Sequence, residues 1–227
     1  MALIVAAVAL LAAGAEAPAR ADPPPAPQTR ITEILVHRPG PAPPARTVAL
    51  TFDDGPSADT PRILDILRRH RVPATFCVLG DNVEEHPDIA RRIVTEGHRL
   101  CNHSRSHPDL AHASAHRARG EVAIAQWQIA RATGVTPKIF RFPYGSSDAR
   151  AERIVRRAGL RPLGWDVDPQ DWARPRSGTI TARVVRAVRP GSVVLLHDGG
   201  GDRRHTVAAL EQLIVALRER GYRFVFA

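Results

Sequence analysis

This 227-residue chain predicts a single-domain α/β fold, a closed or nearly closed (β/α)7 barrel, and three observations point to it. With 44% hydrophobic and 24% charged residues the composition is globular, with room for one sizeable core, and it excludes a disordered or fibrous chain. From Thr47 onward, short apolar runs alternate with amphipathic stretches, the pattern of βα units on a parallel sheet. Polar residues suited to chemistry sit at or just beyond the carboxyl ends of several of these runs, and in a barrel those ends converge on one mouth. An open doubly wound sheet is the alternative.

Seven strands are expected in order: Thr47–Phe52, Ala74–Leu79, His98–Asn102, Lys138–Phe142, Arg161–Asp166, Ser192–His197 and Tyr222–Phe226. Helical signals lie between them. Thr60 is placed to cap a first helix and Pro61 to take its first position, with Ile63, Leu64 and Leu67 on one face and Arg68 and Arg69 at the basic end. Pro87 opens a second helix, Ile89 and Ile93 stack one turn apart, and Gly97 closes it. Gly134, Gly159 and Gly221 read as stops after three later helices.

The chain ahead of this domain is of another kind. Ala2 to Ala13 is apolar but too short to span a bilayer, and Ala19-Arg20-Ala21 has an A-x-A cleavage pattern, so residues 1–21 read as a signal peptide, with an uncleaved anchor as the alternative. Residues 22–46, rich in Pro and small residues, read as a tether. A secreted or wall-associated protein, with no transmembrane helix in the mature chain, is expected. Basic residues outnumber acidic ones by 32 to 23, for a net charge of +9, and Lys138 is the only lysine. Such a surface favours anionic surroundings without naming one. Aromatic residues are only 5%, so few rings are present to stack on single-stranded bases, and no nucleic-acid motif stands out.

Five short motifs carry the chemistry. Thr51-Phe52-Asp53-Asp54-Gly55 puts adjacent carboxylates where a buried strand ends, an arrangement that calls for a cation or proton; alone, it would more often be an Asp-rich turn. His103 and His107 are spaced to grip one ion if they share a helical turn, and with a strand-one carboxylate would form a two-His, one-carboxylate face. His112 and His116 have the same spacing in a more polar stretch that does not follow a strand, and are read as solvated. Arg141-Phe142-Pro143-Tyr144-Gly145 offers an arginine to a strand-one carboxylate and a turn able to aim a backbone N–H at an oxyanion. Trp165 to Trp172 brings carboxylates and two large rings, suited to a sugar cleft or to covering the core. His197 leaves a buried strand directly, where a lone histidine is more often a core residue than an acid.

Taken together, these motifs resemble those of polysaccharide deacetylases of carbohydrate esterase family four, over roughly Thr47 to Ala227. The resemblance implies a distorted, TIM-barrel-like (β/α)7 barrel with a divalent metal, usually zinc, held by Asp54, His103 and His107. It implies Asp53 as the base acting on the attacking water, His197 as the acid protonating the leaving amine, Arg141 as partner of Asp53, and Asp171 as partner of His197. The Tyr144 backbone N–H becomes the oxyanion donor, Leu195 a wall of the acetyl-methyl pocket, and Trp172 a substrate contact. Arg105 stands where relatives often carry an aromatic residue. The expected activity is removal of N-acetyl groups from N-acetylglucosamine units of a polysaccharide by a monomer, with peptidoglycan first, chitin oligomers second and acetylated xylan third. A catalytically silent wall-binding module is the rival of another class, and the intact motifs weigh against it. Cys77 and Cys101, on neighbouring predicted strands of an exported chain, favour a disulfide over two buried thiols.

Overall fold

The computed structural model describes residues 46–227, so the expected signal peptide and all but the last residue of the expected tether lie outside the described residues. In order come β1 (Thr47–Asp53), α1 (Thr60–His70), β2 (Thr75–Val78), α2 (Gly80–Glu85), α3 (Pro87–Thr95), β3 (Arg99–Asn102), α4 (Ala115–Thr133), β4 (Ile139–Phe140), α5 (Ala149–Arg157), β5 (Arg161–Pro162), α6 (Ser177–Ala187), β6 (Ser192–His197), α7 (Arg204–Glu219) and β7 (Arg223–Val225). All strand pairings are parallel, in the order β5-β4-β3-β2-β1-β6. The sheet curls into a half-barrel. The segment after β5 narrows the gap to β6 through a bridge between Val167 and Val194.

The seventh strand departs from a regular barrel. Val48 pairs with Ser192 of β6 and also with Phe224 of β7, so β7 must use the opposite edge of β1. That is the edge on which Thr51 to Asp53 pair with β2. β7 therefore shares an edge with β2 instead of closing the ring. Strands β4 and β5 are also shorter than expected, and Pro143 and Pro162 lack the N–H that would extend their ladders.

Alternation along β1 separates two cores. Val48, Leu50 and Phe52 face outward into an apolar layer with α1 and α7, including Ile63, Leu67, Leu210 and Ile214. Thr51 and Asp53 face the interior, whose small apolar floor is Cys77, Cys101, Ile139 and Leu163. Cys77 and Cys101 are directly paired across β2 and β3 and joined as a disulfide.

Helix α1 begins as the proline predicts, but Thr60 is not its cap. The capping position is Asp59, and the Thr60 hydroxyl donates to Asp198 Oδ2 at 2.6 Å, because a buried carboxyl is the more demanding partner. The short α2 and the later α6 were not expected, although Ile180 and Val184, one turn apart, mark the buried face of α6. None of the described helices is long and apolar enough to cross a membrane.

Candidate active site

A cleft of about 420 Å³ opens at the carboxyl ends of the strands, lined by Asp53, Asp54, His103, His107, Tyr144, Trp172, Leu195 and His197 among others. They come from the ends of β1, β3 and β6 and from the loops after β4 and β5. As β1 ends, Asp53 turns inward while Asp54, with φ of 71°, swings away from it. Arg141, fully buried beyond β4, donates through Nη1 to Asp53 Oδ1 and Thr51 Oγ1, both at 2.7 Å, and through Nη2 to the Gly164 carbonyl at 3.1 Å. The expected Asp53–Arg141 pair is thus present.

Asp54 faces the histidines. Its Oδ1 lies 3.4 Å from His103 Nε2 and 3.3 Å from His107 Nε2. His103 Nδ1 donates to the Arg141 carbonyl at 2.8 Å, which leaves Nε2 as the free lone pair aimed at the cleft. The two histidines do not share a helical turn, contrary to expectation. They lie on a loop in which Ser104 and His107 have positive φ of 72° and 63°. The loop is held from outside by Glu121 of α4. Its Oε2 accepts from the Arg105 and Ser106 N–H groups at 3.1 and 2.9 Å, and its Oε1 from the Ser106 hydroxyl at 2.8 Å. Sequence reasoning missed Glu121; its signal is an acid on the buried face of α4, one turn from Ala118 and next to Val122.

The donor set suits a divalent cation. The nearest ligand atoms of Asp54, His103 and His107 all lie within 4.8 Å of one another. Asp54 Oδ1 is buried and has no hydrogen-bond partner, an orphan that an ion would satisfy. Burial opposes ionisation of Asp54, yet the imidazoles of His103, His107 and His197 around it hold its carboxyl well below the usual carboxylate range. Burial likewise disfavours a proton on His103, but Asp53 and Asp54 more than offset it. A carboxylate field that favours a proton there also favours a cation.

Across the cleft, His197 Nδ1 lies 2.7 Å from Asp171 Oδ1. Burial lowers the His197 pKa, but the hydrogen bond and charge of Asp171 outweigh it and raise it to about 9. Thr206 of α7 donates to Asp171 Oδ2 at 2.7 Å, a second support not seen in the sequence. Leu195, from the same strand as His197, is buried in the cleft wall. Trp172 and Tyr144 stand at the lip, 52% and 70% exposed, and the Tyr144 ring lies edge-on to His107 at 4.5 Å. Tyr144 has φ of 58° in a tight turn at Pro143–Gly145. Asp198, next to His197, is fully buried beneath the site, and burial pushes its pKa up to about 7. His112 and His116 are exposed and away from the cleft, and His112 pairs with Asp109 at 2.8 Å.

An α/β half-barrel with a two-His, one-Asp cluster, an Arg-paired carboxylate beside it and an Asp-paired histidine opposite has the layout of a hydrolytic centre. The chain belongs to the polysaccharide deacetylase family, whose model matches residues 40–163. It is 43% identical over 190 residues to a chitooligosaccharide deacetylase of Bradyrhizobium sp. (strain ANU 289), covering 78% of this chain and 87% of that protein. It is 41% identical over 180 residues to a peptidoglycan-N-acetylglucosamine deacetylase of Bacillus cereus, covering 78% of this chain and 66% of the relative. Its fold matches the solved structure of peptidoglycan deacetylase PdaC from Bacillus subtilis with a TM-score of 0.75 at 35% identity, over 82% of this chain and 89% of that one.

Proposed function

We propose that this chain is a zinc-dependent hydrolase that removes N-acetyl groups from N-acetylglucosamine units of peptidoglycan, acting outside the cell or at its wall. The observation that carries this reading is the division of labour between the adjacent carboxylates: Asp53 is bound by Arg141, and Asp54 faces two histidines. The name of the Bacillus cereus relative and the A-x-A pattern of the first 21 residues support the substrate and the location.

Asp54, His103 and His107 would hold the ion, which when bound lowers the pKa of a water toward ~7 and polarises an amide carbonyl. Asp53, oriented by Arg141, accepts the proton that the attacking water loses. The Tyr144 backbone N–H donates to the carbonyl oxygen as charge develops on it. His197, kept protonated by Asp171, gives its proton to the departing nitrogen, without which an amine is a poor leaving group. Leu195 packs against the acetyl methyl, and Trp172 offers a ring to the sugar face.

A chitooligosaccharide substrate is the second reading, favoured by the name of the Bradyrhizobium relative. Mass spectrometry of peptidoglycan fragments, chitooligosaccharides and acetylated xylan after incubation with zinc-loaded and chelator-treated protein separates the cases. Loss of one acetyl from peptidoglycan fragments, by the zinc-loaded protein only, is the expected result. No acetyl loss from any of the three would end the enzymatic reading.

A further inference from the structure

Asp171 and Trp172 share one short helical turn, Asp171–Ala173, flanked by Gln170 and Arg174, two non-glycine residues in the left-handed region with φ of 56° and 57°. Such backbone is costly and persists only where the surroundings over-determine it. Its internal bonds run from the Ala173 N–H to the Gln170 carbonyl at 3.1 Å and from the Arg174 N–H to the Asp171 carbonyl at 2.9 Å. Further support comes from the start of α7.

Two residues there reach back to the turn. Thr206, in the first turn of α7, donates its hydroxyl to Asp171 Oδ2 at 2.7 Å. Arg203, immediately before α7, is buried, and each of its guanidinium nitrogens meets a main-chain carbonyl: Nε that of Gly199 at 2.6 Å, Nη2 that of Gly200 at 2.8 Å and Nη1 that of Trp172 at 3.3 Å. The Arg203 N–H donates to Asp59 Oδ2 at 2.9 Å, which fixes the residue from the side of α1. The guanidinium fork therefore joins the glycine run that follows His197 to the turn that carries Trp172. That run has little room to move. A Cβ at Gly200 would stand 2.7 Å from Asp54 Oδ2 and 3.2 Å from Arg203 Nη2, so the backbone is wedged between them. Burying a guanidinium costs desolvation that neutral carbonyls offset only in part, and an apolar side chain of the same size would lack the three bonds that span the two segments.

We propose that Arg203 and Thr206 are positioning residues with separate tasks: Arg203 fixes the turn that presents Trp172 to the sugar, and Thr206 fixes Asp171, which aims His197. Arg203 acts through the main chain of Trp172 and so governs how firmly the glycan is held. Thr206 acts through Asp171 and so governs how well His197 is directed at the departing nitrogen. These two roles rest on the deacetylase reading, whereas the bracing of the turn does not.

Steady-state acetate release from peptidoglycan fragments and chitooligosaccharides, together with amide hydrogen exchange over residues 168–176, tests it. Arg203→Gln is expected to raise KM about fivefold or more with kcat within about twofold of the parent, because Asp171 keeps its bonds to Thr206 and to the His197 N–H. Arg203→Lys should do the same, since one ammonium replaces three nitrogens, and it takes the place of the Gln variant should that one fail to fold. Thr206→Val should lower kcat about fivefold or more with KM within about twofold, and Thr206→Ser, which keeps the hydroxyl, should restore it. With no substrate present, both Arg203 variants should speed exchange at Ala173 and Arg174 about fivefold or more. A parent that releases no acetate would end the deacetylase reading, and the exchange result alone would then decide the bracing. Unchanged exchange, an unmoved KM in the Arg203 variants, an unmoved kcat in Thr206→Val, or KM and kcat shifting together in either set overturns the proposal.

Discussion

Asp171 holds His197 with both carboxylate oxygens: Oδ1 meets the imidazole Nδ1 at 2.7 Å, and Oδ2 accepts the backbone N–H of the same residue at 2.9 Å. The side chain is thereby oriented by Asp171, whose charge, with those of Asp53 and Asp54, favours its protonated form. His197 has an ordinary value of 6.5 and is raised to about 9, so it is protonated at neutral pH. Asp171→Asn keeps the shape and removes the charge. The alkaline limb of kcat/KM is expected to move about one to two pH units lower. Because the folded-state pKa is the higher one, the pair stabilises the fold fully below pH 6.5 and loses that contribution as pH rises through about 9. Thermal unfolding at pH 6 and pH 10 should therefore show a larger drop for the parent than for Asp171→Asn, and equal drops would contradict the assignment.

Neighbouring carboxylates with separate partners should fail differently. Asp54→Ala removes an acceptor shared by two histidines, and metal retained after dialysis should fall below one ion per chain. Asp53→Asn keeps the donor set intact, so metal content is expected to hold while acetate release drops about 10²- to 10⁴-fold. Elemental analysis and an acetate assay on the same preparations read both quantities. Normal turnover by either variant would refute the scheme.

Arg141 is fully buried, and among the described residues its only carboxylate partner is Asp53, 3% exposed. Arg141→Met leaves that nearly buried carboxylate without its arginine. Urea unfolding should show a loss of about 3–5 kcal/mol. A loss under about 1 kcal/mol would mean that the pair adds little to the fold.

The disulfide between Cys77 and Cys101 closes a loop with a sequence separation of 24. Chain-entropy arguments give it about 3 kcal/mol, so reduction, or the double change Cys77→Ser and Cys101→Ser, should lower the urea midpoint accordingly. Alkylation before and after reduction checks the premise, since two thiols free in the untreated protein would remove it.

Gly199 packs against the turn that ends β1. A Cβ there would stand 1.9 Å from the backbone oxygen of Asp54, an atom that cannot yield without moving the residue itself. Gly199→Ala is expected to weaken metal affinity about tenfold or more, measured by competition with a chelating dye. Unchanged affinity would show that the β1 turn tolerates displacement.

The succession of strands along the chain and the polar groups that end them are legible in the sequence, because both are written locally. Ser192–His197 matches its expected span, and Asp53, Asp54, His103, His107, Arg141, Leu195 and His197 line or support one cleft. His103 and His107 converge where their place directly after a strand leads one to expect, but not on a helical turn: two positive-φ residues and a glutamate from α4 bend the loop that carries them. Glu121 and Thr206 escaped notice because each lies on a helix far along the chain from the group it holds, and periodicity reports which face is buried, not what that face touches.

Amphipathic alternation and the residues that end each run were enough to indicate βα units on a parallel sheet and the polar groups at its strand ends, since hydrophobic periodicity and turn chemistry act over a few residues. Folding settled the rest: that β7 shares an edge of β1 with β2, that Thr60 serves Asp198 instead of capping its helix, and that Glu121 of α4 braces the loop carrying His103 and His107. Those outcomes depend on which distant surfaces pack together and which buried polar groups must find partners, quantities that no local spacing contains.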